Sequence, residues 1–409
     1  MRYVDFVDLN YRQKETDMVC TFIVEPDGVS KREAAGAVAA ESSIGTWTEL
    51  TTTKPYVEKL AAHVFSIEDN VVKIAYPIEL FETGNMPNIL SSVSGNVFGL
   101  RTLRNLRLDD VDFPRKLVGS FRGPKYGIDG IRKLLKVYDR PLVGTIIKPK
   151  LGLKTADHAK VAYEAWTGGC DIVKDDENLS SQKFNPFEER LTKTLENRDR
   201  AEKETGERKV YMVNVTAETK EMLRRAELVL RQGGEYVMID ILTCGFAALQ
   251  TFREQDFKLV IHAHRAGHAA ITKNPKHGIS MRVLAKAARI IGVDQLHVGT
   301  VVGKMSETKE EVTQNCEALK MKMAGLKPVL PVASGGLHPR LVPALMQFFG
   351  EDLVIQAGGG IHGHKDGTEA GAKAMRQAVE AAMKGVALPE FAEKHKELRV
   401  ALETWKQNA

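Results

Sequence analysis

The chain has 409 residues, 43% of them hydrophobic and 27% charged, a profile that excludes a disordered or fibrous chain and leaves room for about two or three domains. Its formal net charge of +5 is small for this length; it favours neither nucleic acid nor membrane as a partner and would not repel an anionic substrate. Four cysteines, Cys20, Cys170, Cys244 and Cys316, lack CxxC spacing and fit a reducing compartment; with no apolar leader and no run approaching a membrane span, the sequence reads as cytoplasmic.

Residues 1–123 read as a small α+β domain of ferredoxin-like type. A strand is predicted over 17–26. Ser30 then caps a helix over 31–42, with Glu33 completing a capping box. Further strands are predicted at 63–67, 71–77 and 100–106, and a helix at 86–92. This alternation suggests a sheet covered by helices on one face.

The pattern changes over residues 124–409. Apolar runs recur at 142–147, 170–173, 210–215, 236–241, 259–264, 295–298, 329–333 and 353–357. Helical stretches separate most of them, most clearly at 156–167, 186–205, 217–231 and 280–291. Eight strands alternating with helices predict a closed (β/α)8 TIM barrel. An open doubly wound sheet is the competing architecture, but no Gly-rich dinucleotide fingerprint opens the first unit.

Polar residues cluster after these runs, which places them together at the C-terminal mouth of such a barrel. The second run leads into Val173-Lys174-Asp175-Asp176-Glu177-Asn178. Strand alternation sends Lys174 and Asp176 to one face and Asp175 to the other, with Glu177 at the start of the loop. An amine among carboxylates is ordinarily an ion pair. Converted to a carbamate by carbon dioxide, Lys174 becomes a third anionic oxygen ligand, and with Asp176 and Glu177 it can hold a hard cation such as Mg2+. Lys148 and Lys150 flank Pro149 after the first run, where alternation would put two like charges on one face and depress an amine pKa, as suits proton transfer; two surface lysines are the plainer alternative. His262, His264 and His268 could be read as a metal cluster, but an oxygen-ligand site elsewhere argues for proton transfer by His264 and phosphate binding by Arg265, with at least one histidine structural. Ser334-Gly335-Gly336 and Gly358-Gly359-Gly360 follow the last two runs, where backbone N–H groups can approach a phosphate. Lys304 lies in a polar segment that could close over a bound anion.

These stretches together resemble the large chain of ribulose bisphosphate carboxylase (RuBisCO), of the archaeal type that works without a small subunit. The resemblance extends to Ala40-Glu41-Ser42-Ser43-Ile44-Gly45-Thr46-Trp47 and Gly95-Asn96-Val97-Phe98-Gly99. It implies Mg2+-dependent carboxylation and cleavage of ribulose 1,5-bisphosphate to two 3-phosphoglycerates through an enediolate, with oxygenase side activity. Lys174 would be the carbamylated lysine, a metal ligand with Asp176 and Glu177, and would take the C3 proton. Lys148, tuned by Lys150, would protonate C2, and His264 would assist proton transfer. Lys304 would cover the site. Arg265, His297, Ser334, Gly335, Gly336, Gln356, Gly358 and Gly359 would contact substrate. Glu41, Thr46, Trp47 and Asn96 would reach it from a partner chain, so the active unit would be a homodimer or an assembly of dimers.

Gly267 stands where the family usually has methionine, which would loosen packing behind His264. Ser306 stands where a glutamate usually follows the lid lysine, with Glu307 adjacent. The sixth barrel helix is expected over 309–323, and the segment from Lys304 to Ser334 is shorter than usual. The alternative function is that of a RuBisCO-like isomerase, which enolises another phosphorylated sugar derivative without fixing carbon dioxide. A non-catalytic assembly protein is a third reading, disfavoured by the cost of keeping buried charges for structure alone.

Overall fold

The structure is a computed structural model describing residues 2–303 and 307–406. It divides into two compact units, one formed by Met1–Gly123, Gly267–Ile291 and Met321–Leu326, the other by Pro124–Ala266, Gly292–Lys320 and Lys327–Ala409. Thirteen strands, β1 to β13 in chain order, form two sheets among the described residues.

The first unit contains β1 (Met18–Pro26), β2 (His63–Glu68), β3 (Val71–Tyr76), β4 (Leu103–Asp112) and the short β10 (Gly278–Ile279). Their order is β10-β4-β1-β3-β2. The β1–β3, β1–β4 and β2–β3 pairs are antiparallel, and β10 joins β4 in parallel. The helix Lys31–Glu41 follows β1, and Met86–Val93 precedes β4, giving the ferredoxin-like βαββαβ order. Ser30 caps the first helix by accepting from the Glu33 N–H at 3.2 Å, as the capping pattern predicts.

β4 is longer than expected and displaced toward the C-terminus. The predicted strand stops at residue 106, short of Arg107, Asp109 and Asp110, whose charges are satisfied within the sheet's surroundings. Arg107 donates to the Thr272 and Asn274 carbonyls at 3.0 and 2.7 Å. Asp110 is bridged by Lys286 at 2.6 Å and Arg282 at 2.9 Å. With the charges paired, Leu106, Leu108 and Val111 continue the buried face.

The second unit is a closed parallel barrel. Its strands are β5 (Leu142–Ile146), β6 (Ile172–Lys174), β7 (Val210–Asn214), β8 (Tyr236–Asp240), β9 (Val260–His264), β11 (Gln295–His297), β12 (Leu330–Ser334) and β13 (Val354–Gln356). Ile172, Met212, Met238, Val332 and Val354 contribute to its buried core. The helices Thr155–Thr167, Phe187–Thr205 and Thr219–Arg231 follow β5, β6 and β7. The helix after β11, Lys309–Lys320, ends earlier than expected. No described helix is long and apolar enough to cross a membrane.

Candidate active site

The last residue of seven of the eight barrel strands is polar: Lys174, Asn214, Asp240, His264, His297, Ser334 and Gln356. All strands run parallel, so these side chains gather at the C-terminal end of the barrel, where active sites of this fold sit.

Lys174 is fully buried. Its Nζ donates to the Asp175 carbonyl at 2.7 Å and lies 3.6 Å from Glu177 Oε2. Burial pulls its pKa below the ordinary lysine value, opposed by the carboxylates of Glu177, Asp176 and Asp175. Asp176 is also buried; burial disfavours its charge, but hydrogen bonds from Lys148 and Asn178 hold its pKa below the usual carboxylate value. Lys148 Nζ donates to Asp176 Oδ2 at 2.7 Å. Glu177 is likewise lowered, since Lys174 and His264 outweigh its burial.

Asp175 belongs to a different neighbourhood. Arg190 Nε and Tyr211 Oη donate to its carboxylate at 3.1 and 2.7 Å, and the Asn214 N–H at 3.0 Å. β6 ends at Lys174, so Asp175 lies just past the strand, and these contacts anchor the strand end.

β5 ends at Ile146, so strand alternation does not govern Lys148 and Lys150. Lys148 donates to the carboxylate of Asp176, and Lys150 is exposed.

His264 Nε2 lies 3.6 Å from Glu177 Oε2, and its ring meets that of His297 edge-on at 4.7 Å. His262 is the structural histidine of the three-histidine run. It is fully buried, with Nδ1 at 2.9 Å from Gln295 Oε1 and Nε2 at 2.9 Å from His297 Nε2. His297 Nδ1 is 2.8 Å from Ser334 Oγ. Gln356 is buried at the end of β13, and neither of its amide atoms has a hydrogen-bond partner among the described residues.

Arg265 is buried, and its Nη2 donates to Glu307 Oε1 at 2.6 Å. Burial lowers its pKa, and Glu307 opposes that shift. A side chain at Gly299 would meet both partners, its Cβ 3.1 Å from Arg265 Nη2 and 3.2 Å from Glu307 Oε1. The predicted Gly-rich sites differ internally. A Cβ at Gly360 would stand 2.0 Å from the Leu337 carbonyl, so that glycine serves packing, whereas one at Gly359 meets nothing within 4 Å. Gly358 faces Lys148, with its ideal Cβ 3.1 Å from Cε. Gly335 and Gly336 have φ of +120° and +74°, conformations that favour glycine. Gly303 abuts Gly335, whose carbonyl oxygen would lie 2.4 Å from an added Cβ.

Lys304 and Ser306 lie outside the described residues. Gly267 has φ +81° with open space where a Cβ would go; at this position glycine answers a backbone requirement. Glu41, Thr46, Trp47 and Asn96 belong to the first unit. Glu41 closes its helix and accepts from Tyr3 Oη at 2.7 Å. Thr46 is half-buried, Asn96 is exposed and Trp47 is 81% exposed.

Among the described residues, no three His, Cys, Asp or Glu side chains are grouped to hold a metal ion. Asp176 and Glu177 supply two carboxylates beside Lys174. Two carboxylates are a donor set of the kind that a hard, oxygen-binding cation takes. The donor set therefore fits Mg2+ and does not fit a zinc-type cluster.

Gln295 and Glu307 did not stand out among the predicted site residues. The i, i+2 spacing of Gln295 with His297, shared by His262 and His264, was the available signal for the first.

The chain matches two family descriptions, "Ribulose bisphosphate carboxylase large chain, N-terminal domain" over residues 5–117 and "Ribulose bisphosphate carboxylase large chain, catalytic domain" over residues 127–405. It is 52% identical to the ribulose bisphosphate carboxylase of Methanocaldococcus jannaschii, covering 98% of this chain and 100% of that one. Among solved structures, the octameric ribulose-1,5-bisphosphate carboxylase/oxygenase of Pyrococcus horikoshii superposes with a TM-score of 0.97 at 50% identity, covering 100% of this chain and 98% of that one. The dimeric archaeal Rubisco of Hyperthermus butylicus does so with a TM-score of 0.92 at 47% identity, covering 98% and 99%.

Proposed function

The chain belongs to the ribulose bisphosphate carboxylase large-chain family, and we propose that it carboxylates ribulose 1,5-bisphosphate and cleaves the product to two molecules of 3-phosphoglycerate. The observation that carries this reading is Lys174, a buried amine beside Asp176 and Glu177 at a barrel strand end. Its lowered pKa leaves more of the neutral amine, the form that attacks the carbon of carbon dioxide. The ammonium gives up one proton to solvent to become that amine, and a second leaves to solvent as the N–C bond forms, so the side chain goes from positive to negative overall. Lys174 as carbamate, Asp176 and Glu177 would hold Mg2+. Bound there, the metal would supply Lewis-acid stabilisation of developing negative charge on oxygen.

The other residues bind, orient and move protons. Lys148 is the acid proposed for C2, held at the site by Asp176. His264, between Glu177 and Asp240, is positioned to shuttle a proton. Arg265 and the Gly358–Gly359 turn are proposed to take the two phosphates. His297, Ser334, Gly335, Gly336 and Gln356 are proposed to contact the substrate. Lys150 is assigned to tuning and Lys304 to covering the site. Glu41, Thr46, Trp47 and Asn96 are assigned to the site of a second copy, so the working form is a homodimer or an assembly of dimers. The dimeric and octameric relatives support that assembly.

The test is to preincubate the protein with bicarbonate and Mg2+, add ribulose 1,5-bisphosphate, and follow labelled carbon into 3-phosphoglycerate. The reading requires incorporation that Lys174→Ala abolishes. Incorporation no greater than that of the variant would overturn it.

A further inference from the structure

Four side chains from three neighbouring barrel strands form one hydrogen-bonded row. Gln295 and His297 lie on β11, His262 on β9 and Ser334 on β12. The contacts are Gln295 Oε1 to His262 Nδ1 at 2.9 Å, His262 Nε2 to His297 Nε2 at 2.9 Å, and His297 Nδ1 to Ser334 Oγ at 2.8 Å. Gln295 and His262 are fully buried and His297 is 4% exposed.

Proton counting constrains this row. Burial pushes both imidazoles well below the ordinary histidine pKa, so each ring is neutral and carries one N–H. A hydrogen bond between two Nε2 atoms needs one donor and one acceptor. The two rings must therefore be opposite tautomers, and one terminal partner decides which is which.

The Gln295 amide is that partner. Its oxygen faces His262, so His262 donates from Nδ1 and its Nε2 is bare. His297 then donates from Nε2, and its bare Nδ1 accepts the Ser334 hydroxyl proton. Turning the amide over would reverse every bond, leaving Ser334 free to donate outward. The second observation is that Gln295 Nε2 is buried with no hydrogen-bond partner among the described residues. The amide is thus held by its oxygen alone.

We propose that Gln295 is a positioning residue which, through His262 and His297, commits the Ser334 hydroxyl proton inward and presents the serine oxygen as an acceptor for a substrate hydroxyl. The ligand class is a polyhydroxylated sugar phosphate, so the role of Ser334 rests on the function proposed above. The direction of the proton row does not.

The experiment is nitrogen NMR of the intact protein labelled in its histidines, with His262→Gln and His297→Gln variants for assignment. The expected spectrum has His262 protonated at Nδ1 and His297 at Nε2. Gln295→Glu, which can only accept, should keep His262 protonated at Nδ1. Gln295→Leu should lose it and raise KM for ribulose 1,5-bisphosphate about fivefold with kcat little changed, as for loss of one ground-state hydrogen bond. The reverse tautomers, a charged ring in the native protein, or a Gln295→Leu variant with unchanged pattern and KM would overturn the proposal. Should Gln295→Leu fail to fold, the native and Gln295→Glu spectra still decide it. The expected tautomers in a protein without carboxylase activity would sustain the proton row while removing the proposed function.

Discussion

Lys148 Nζ donates to Asp176 Oδ2 at 2.7 Å, and Asp176 Oδ1 accepts from the Asn178 side chain at 3.0 Å. One buried carboxylate thus holds the proposed acid while also being a proposed metal ligand. Asp176→Asn keeps the shape and removes the charge. We expect its apparent Mg2+ affinity to fall by about a hundredfold or more, measured by titrating the metal in the carboxylase assay. Unchanged Mg2+ dependence would remove Asp176 from the ligand set.

Glu307 occupies the guanidinium that is proposed to receive a phosphate. Glu307→Gln leaves a buried cation without its anion, which should cost about 3 kcal/mol. Inorganic phosphate or the bisphosphate should then raise the melting temperature of the variant more than that of the native protein. Equal stabilisation of both would place the anion elsewhere than Arg265.

Asp175 and Arg190 form a fully buried pair, with Asp175 held far below its ordinary pKa despite burial, chiefly by Arg190 and His158. Removing one partner of such a pair costs about 3–5 kcal/mol. Asp175→Asn should show this loss in denaturant unfolding. A variant as stable as the native protein would contradict the anchoring role.

His362 ties the glycine turn to β5. Its Nε2 lies 2.9 Å from Thr145 Oγ1 and 3.0 Å from the Ile146 carbonyl. Burial lowers its pKa from 6.5 to about 4. Above pH 6.5 the ring is neutral in both folded and unfolded chains, and its contribution to stability is intact. As pH falls through 6.5 the unfolded chain takes a proton that the folded one refuses, so stability drops until about pH 4. The whole effect is about 3 kcal/mol. Stability of His362→Gln, followed by thermal melting across this range, should fall less steeply than that of the native protein. An equally steep acid limb would contradict the shift.

The barrel was legible because each strand is a short apolar run, and seven of the eight end in a polar residue. β4 was misplaced because Arg107, Asp109 and Asp110 look like loop residues until their partners are known. Arg107 is hydrogen-bonded by the Thr272 and Asn274 carbonyls and Asp110 is paired with Arg282 and Lys286, all far away in sequence. Strand alternation does not reach the lysine pair, since β5 stops before Lys148. Gln295 and Glu307 were hidden because their meaning lies in a contact. Gln295 meets a histidine 33 positions away and Glu307 an arginine 42 positions away, and neither separation is periodic.

The most direct measurement is to trap isotopically labelled carbon dioxide on the protein in the presence of Mg2+, stabilise the adduct chemically and map the labelled peptide. The account predicts a single labelled lysine, Lys174, with label retained when Mg2+ is present and lost when it is chelated. An unmodified Lys174, or label on another lysine with catalysis intact, would contradict it.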